Sequence, residues 1–139
     1  MTTGPVRKAA CSCGQLGMSL GGEPRLVSAC HCLACQRRTG SALGWVAFYP
    51  ETQITDRHGK ASNFARVAES GATLTYDFCP NCGSTVSWTR DTQPGLLAVA
   101  VGAFADPNFP PPARLVWAES RQDWLELPGD LPRFERGPV

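Results

Sequence analysis

ATLTYDFCPNCGSTVSWT, residues Ala72 to Thr89, is the stretch whose reading decides the fold. Two runs rich in β-branched and aromatic residues, Ala72 to Phe78 and Thr85 to Thr89, each read as a short strand. Between them Cys79 and Cys82 form a CxxC with Gly83 directly behind it. A CxxC turn sets two thiolates on one side of a tight loop while backbone N–H groups point at the sulfurs. A glycine in the next position lets the chain turn back beneath a metal at positive φ without a side-chain clash. The stretch therefore predicts strands joined through a metal knuckle.

The same pattern continues outward. Further strand candidates are Gln15 to Leu20, Ala42 to Tyr49, Phe64 to Ala68, Leu96 to Ala103 and Arg114 to Ala118. Turn chemistry at Gly21-Gly22, Tyr49-Pro50, His58-Gly59, Ser70-Gly71 and Gln93-Pro94-Gly95 separates them, the spacing of a mainly β domain of short antiparallel sheets. Helical periodicity is confined to one or two short turns, Leu33 to Thr39 and Glu119 to Leu125, the second with Ser120 placed to cap it. Pro128 to Val139 reads as a loosely packed tail from which Phe134 could dock. The 139 residues fit a single domain with its core over about 8–127. Fourteen glycines and twelve prolines imply many turns, so added cross-links would help such a fold.

Thirteen basic and twelve acidic residues leave a formal charge of +1, so no global field favours nucleic acid or an anionic membrane. No basic stripe or repeated aromatic-basic pattern supports nucleic-acid binding through zinc knuckles. Met1 to Ala10 lacks an apolar stretch behind its basic residues, so export is not expected and a cytoplasmic location is. The longest apolar run, Leu96 to Ala105, falls short of the about 20 residues that span a bilayer, and reads as a buried strand.

The seven cysteines fall into three clusters: Cys11 and Cys13 as CxC, Cys30, Cys32 and Cys35 as CxCxxC, and Cys79 with Cys82. Gly14 repeats behind Cys13 the arrangement seen at Gly83. An odd count, close-spaced pairs and the expected reducing compartment weigh against a disulfide framework. Thiolate ligands in tetrahedral sites favour zinc, with an iron–sulfur cluster the only serious rival. A closed structural zinc takes four protein ligands, so seven cysteines divide into four and three, and one site keeps an open position for chemistry. Spacing leaves the partition open: Cys32, Cys35, Cys79 and Cys82 could combine, leaving Cys11, Cys13 and Cys30.

CxCG at Cys11, CHCxxC followed by Arg37-Arg38-Thr39-Gly40-Ser41, and FCPNCGS at Phe78 together resemble the glutathione-dependent formaldehyde-activating family, which includes centromere-protein-V-like domains. Val99 to Phe104 and Asp123-Trp124 carry the resemblance through most of the chain. It implies a small zinc-bound β-tent. It also implies that Cys11, Cys13, Cys79 and Cys82 share a structural zinc while Cys30, Cys32 and Cys35 hold a catalytic one. The implied activity is addition of glutathione to formaldehyde, a carbon–sulfur lyase reaction run in the synthetic direction. The alternative is a non-catalytic zinc module that binds glutathione or a protein partner, or a thiol redox sensor. Many members of the family carry a histidine near the start of the last strand, where this sequence has Arg114-Leu115-Val116-Trp117.

Three thiolates outweigh the two positive charges of zinc, so binding a fourth thiolate calls for cationic help. Arg37 and Arg38, on the turn after Cys35, are the candidates to face the open metal or a ligand carboxylate. His31, between two candidate ligands, is expected to turn away from the metal, and could act as a hydrogen-bond donor behind the ligands or as a proton carrier. His58 reads as a surface residue, and Trp45, Phe48, Phe78, Trp88 and Trp117 mostly as core between sheets.

Overall fold

The computed structural model describes residues 4–137. In chain order its elements are β1 (Val6–Ala10), β2 (Gly17–Gly21), β3 (Leu26–Cys30), α1 (Leu33–Thr39), β4 (Gly44–Pro50) and β5 (Ile54–His58). There follow β6 (Ser62–Val67), β7 (Thr73–Phe78), β8 (Thr85–Arg90), β9 (Leu96–Ala100) and β10 (Arg114–Val116). The fold is mainly β, with one short α-helix and three 3-10 turns among the described residues. The chain divides into two compact units, Met1–Arg25 with Ala47–Phe109, and Leu26–Val46 with Pro110–Val139.

In the first unit β1, β2 and β5 form an antiparallel sheet, with an irregularity between Ser19 and Leu20 on β2. Strands β6 to β9 run as an antiparallel meander. Alternation along β7 buries Leu74 and Tyr76, and Tyr76 stands opposite Trp88 with ring centroids 5.5 Å apart. Consecutive buried residues on β8 (Val86 to Trp88) and β9 (Leu97 to Val99) mark strands covered on both faces. Tyr49 is fully buried beside Phe104, which stacks on Phe109 at 4.7 Å between ring centroids. The expected strand through Ala103 stops at Ala100, because Val101–Phe104 closes into a 3-10 turn that buries Val101 and Phe104.

In the second unit β10 lies parallel to β3, with Arg114 opposite Ser28 and Val116 opposite Cys30. This pair departs from the expected antiparallel pairing, and neither β3 nor the strands β1 and β5 stood among the expected strands. Helix α1 buries no side chain, so a hydrophobic face cannot hold it in place. Its ends do: Cys32 Sγ accepts the Cys35 N–H, and Gly40, in the left-handed conformation, donates its N–H to Gln36 O. The Gln36 side-chain amide also donates to the carbonyls of His31 and Ser120, each at 2.9 Å.

Two expectations are corrected here. The late helical turn lies at Ala118–Ser120, overlapping only the start of the expected span, and Ser120 closes it by donating its N–H to Trp117 O at 3.1 Å rather than capping it. Its entry is set by Trp117 at a positive φ of 56°, a conformation that sequence pattern does not announce for a tryptophan. The tail is also not loose over residues 132–136, which backbone hydrogen bonds tie to residues 115–119. Leu115 N–H donates to Pro132 O, Phe134 N–H to Leu115 O, and Ala118 N–H to Phe134 O, so residues 132–134 line β10. Among the described residues no helix is long and apolar enough to cross a membrane.

Candidate metal centres

Four cysteines meet in the first unit. The sulfurs of Cys11, Cys13, Cys79 and Cys82 all lie within 4.8 Å of one another. Cys13 Sγ is 3.7 Å from both Cys11 Sγ and Cys79 Sγ, close to the edge of about 3.8 Å that zinc–sulfur bonds of about 2.3 Å give a tetrahedron. Two knuckles supply these residues. Gly14 and Gly83, at φ 85° and 80°, donate their N–H groups to the carbonyls of Cys11 and Cys79. Backbone N–H groups of Leu16 and Asn81 point at Cys11 Sγ and Cys79 Sγ at 3.3 and 3.4 Å. The knuckles are joined through Ser12 N–H, which donates to Ser84 Oγ at 3.2 Å.

The electrostatics of this cluster are mixed. The Ser84 hydroxyl and backbone draw the Cys82 thiol down to about 5. Burial alone would raise Cys79, but N–H groups from Cys82, Gln15 and Asn81 reverse the shift. A backbone N–H from Gln15 favours the Cys13 thiolate, yet desolvation and the thiols of Cys11, Cys79 and Cys82 push it up to about 11. Four sulfurs so close cannot all ionise unaided, whereas a divalent cation among them would make all four thiolates.

Gln15 is a residue that sequence reading did not single out. Its side-chain amide donates to Cys79 Sγ at 3.2 Å and to Lys60 O at 2.6 Å, while its Oε1 accepts the Lys60 N–H at 3.0 Å. It ties one of the four cysteines to the β5–β6 connection. Gln15→Ala is expected to cost about 1–3 kcal/mol and to speed metal loss to a chromophoric chelator, read by thermal unfolding and release kinetics.

Three cysteines meet in the second unit. Cys30 ends β3, Cys32 caps α1 and Cys35 lies in its first turn, and their sulfurs also fall within 4.8 Å of one another. All three are half-buried. Hydrogen bonds with Cys32 and Cys35 hold the Cys30 thiol far above its ordinary range, with burial acting the same way. At Cys35 a hydrogen bond from Cys30 favours the thiolate, but Cys32 and burial outweigh it, and the thiol is raised; the charge of Arg38 opposes them. Three half-buried sulfurs this close to one another form a donor set for a soft divalent cation. Gly44 leaves room beside them: a Cβ there would come within 3.1 Å of both Cys35 Sγ and Arg38 Nη2.

The division of cysteines in space is thus four and three, with Cys79 and Cys82 grouped with the first CxC and not with Cys32 and Cys35. The sequence matches the family described as glutathione-dependent formaldehyde-activating enzyme over residues 6–120. The chain belongs to that family. A crystal structure of a Rhodobacter sphaeroides protein, a structural-genomics target, shares its fold at 18% identity, covering 91% of this chain and 98% of that one with a TM-score of 0.52. Comparison with curated proteins gives no match.

In this family member the two candidate arginines part ways. Arg37 is exposed, while Arg38 is half-buried and shares the Gly44 cradle with Cys35. His31 lies outside both sulfur groups and is fully buried. Burial pushes its pKa down, the Ala42 backbone opposes this, and the charges of Arg121 and Arg133 add to the lowering, so it is neutral at pH 7 and sealed from solvent. His58 is exposed as expected, with Nε2 3.1 Å from Gly14 O. Trp88 is core; Trp45, Phe48, Phe78 and Trp117 are half-buried. A second residue missed from sequence is Arg114, whose charge acts on Cys30 from β10. Nothing in the sequence links the two positions, because the parallel β3–β10 pairing alone brings them together.

Proposed function

We propose that the chain is a zinc-dependent carbon–sulfur lyase acting on glutathione adducts of small aldehydes, with S-hydroxymethylglutathione formation as its type reaction. The observation that carries this reading is the spatial division of the cysteines into a set of four and a set of three. Cys11, Cys13, Cys79 and Cys82 would hold a structural zinc, and Cys30, Cys32 and Cys35 a second zinc with one place for substrate. That second ion would supply a lowered pKa to an incoming thiol.

In the reaction the glutathione sulfur forms a bond to the formaldehyde carbon, the carbonyl π bond opens, and the thiol proton ends on the new hydroxyl oxygen. The chain's own part is placement. Cys30, Cys32 and Cys35 fix the reacting sulfur beside α1, Gly44 leaves the space, and Arg37, exposed two residues beyond Cys35, is free to meet a glutathione carboxylate in solvent. Glutathione and unpaired thiolates coexist in a reducing compartment, which fits a cytoplasmic location.

The test is metal content per chain followed by exchange of carbon-13 formaldehyde with glutathione, observed by magnetisation-transfer NMR. Two zinc ions per chain, one of them disturbed by glutathione, and exchange at least about tenfold above the uncatalysed rate are expected. Cys32→Ser is expected to retain one zinc and lose the acceleration. Full metal and glutathione binding without acceleration would replace the lyase with a non-catalytic glutathione-binding module or thiol sensor.

A further inference from the structure

The two cysteine clusters are served by different kinds of neighbour. Around Cys13, Cys79 and Cys82 the groups that favour thiolate are neutral donors: backbone N–H groups, the Gln15 amide, the Ser84 hydroxyl and neighbouring thiols. Around the three-cysteine cluster two guanidinium groups act as well. Arg38 stands one helical turn after Cys35, and its Nη2 and the Cys35 sulfur both lie 3.1 Å from the position a Gly44 Cβ would occupy. Arg114 comes from β10. It is the parallel partner of Ser28, and its Nε donates to Ser28 Oγ at 3.2 Å. Ser28 and Cys30 are two apart on β3 and so share a face, which places the Arg114 charge beside Cys30.

We propose that Arg114 and Arg38 together form the counter-charge of the three-cysteine centre and make it select an anionic fourth ligand, a thiolate above all, over water or a neutral donor. The inference rests on the metal reading given above. Three thiolates and a divalent cation sum to a net −1, which repels an arriving anion. Two guanidiniums, charged at every accessible pH, turn this to +1, and a thiolate then brings the site to zero. Both arginines are half-buried, so solvent screens their charges less than those of surface arginines. The four-cysteine cluster has a complete ligand set and needs no such help. On this view Arg114 is a positioning residue that acts through its charge.

The test uses full-length protein in which cobalt(II) replaces the bound metal, so that ligand entry is read from the d–d and sulfur-to-metal charge-transfer bands. Two probes are titrated: glutathione, and thiocyanate as a simple soft anion. Wild type is expected to shift its bands with both. Arg114→Gln and Arg38→Gln are each expected to weaken both probes about tenfold, Arg114→Lys to recover most of the loss, and imidazole, a neutral ligand, to bind no worse to the variants than to wild type. Metal content and unfolding midpoint, measured beside each titration, separate this from a folding defect. If both probes bind and the glutamine variants match wild type, the counter-charge is overturned while the thiol site stands. If thiocyanate binds with arginine dependence and glutathione does not, the counter-charge stands and the glutathione reading falls. A wild-type centre that takes up neither probe overturns both.

Discussion

Cys79→Ser is expected to leave a chain with no cooperative unfolding transition. Cys79 is fully buried, its sulfur touches Cys13, and it receives N–H donors from Asn81 and Gln15. The knuckle it begins joins β7 to β8, and the four-cysteine cluster ties that hairpin to the segment after β1. Structural zinc contributes about 10–16 kcal/mol of apparent binding free energy in small zinc peptides, comparable with the roughly 5–15 kcal/mol total stability of an ordinary domain. Losing one of four ligands in such a site therefore threatens the whole fold. Cys32→Ser serves as the contrast. It sits at the half-buried start of α1, where a serine hydroxyl also caps a helix, and is expected to stay folded with one metal ion fewer. Near-ultraviolet circular dichroism and metal analysis read both variants. Identical behaviour of the two would mean that the clusters do not divide into a structural and a reactive role.

Gly59→Ala is expected to be nearly as damaging, although it removes no ligand. Gly59 has φ 89°, and an added Cβ would lie 1.7 Å from Gln15 O, 2.6 Å from Gln15 C and 2.8 Å from Leu16 Cα. All three are backbone atoms, so no side-chain rotation relieves the clash. The loop after Cys13 must move, and with it the Gln15 amide that holds Cys79 Sγ and Lys60. We expect a loss above about 4 kcal/mol together with faster metal release. Gly71→Ala is the control. It shares a positive φ of 93° but meets nothing within 4 Å, so it should cost only the backbone preference, about 1–2 kcal/mol. Equal unfolding midpoints for the two variants would show that the contact with Gln15 is not tight in solution.

The gaps in the sequence reading share a cause. Strand β3 (LVSAC) and strand β1 (VRKAA) lack the alternation or aromatic content that marks a strand, and each becomes one by pairing: β1 with β2, β3 with β10. Strand β5 (ITDRH) is mostly exposed and polar, so no buried face signals it. The tail looked loose because proline and glycine dominate it, yet two backbone groups of Leu115 bond residues 132 and 134, a match of hydrogen-bonding groups that composition does not carry.

The sequence by itself determined the mainly β class, the knuckle turns at Gly14 and Gly83 and the grouping of cysteines within each short motif, because these depend on side-chain type and on contacts a few residues apart. Even the family was legible there, since its motifs are local. Tertiary structure alone decided which CxC meets which CxxC, that Arg38 rather than Arg37 faces the sulfurs, that Gln15 braces Cys79 and that Arg114 stands beside Cys30. Each of these is a meeting of segments far apart in the chain, fixed by strand register and close packing, and neither quantity is written in the local order of residues.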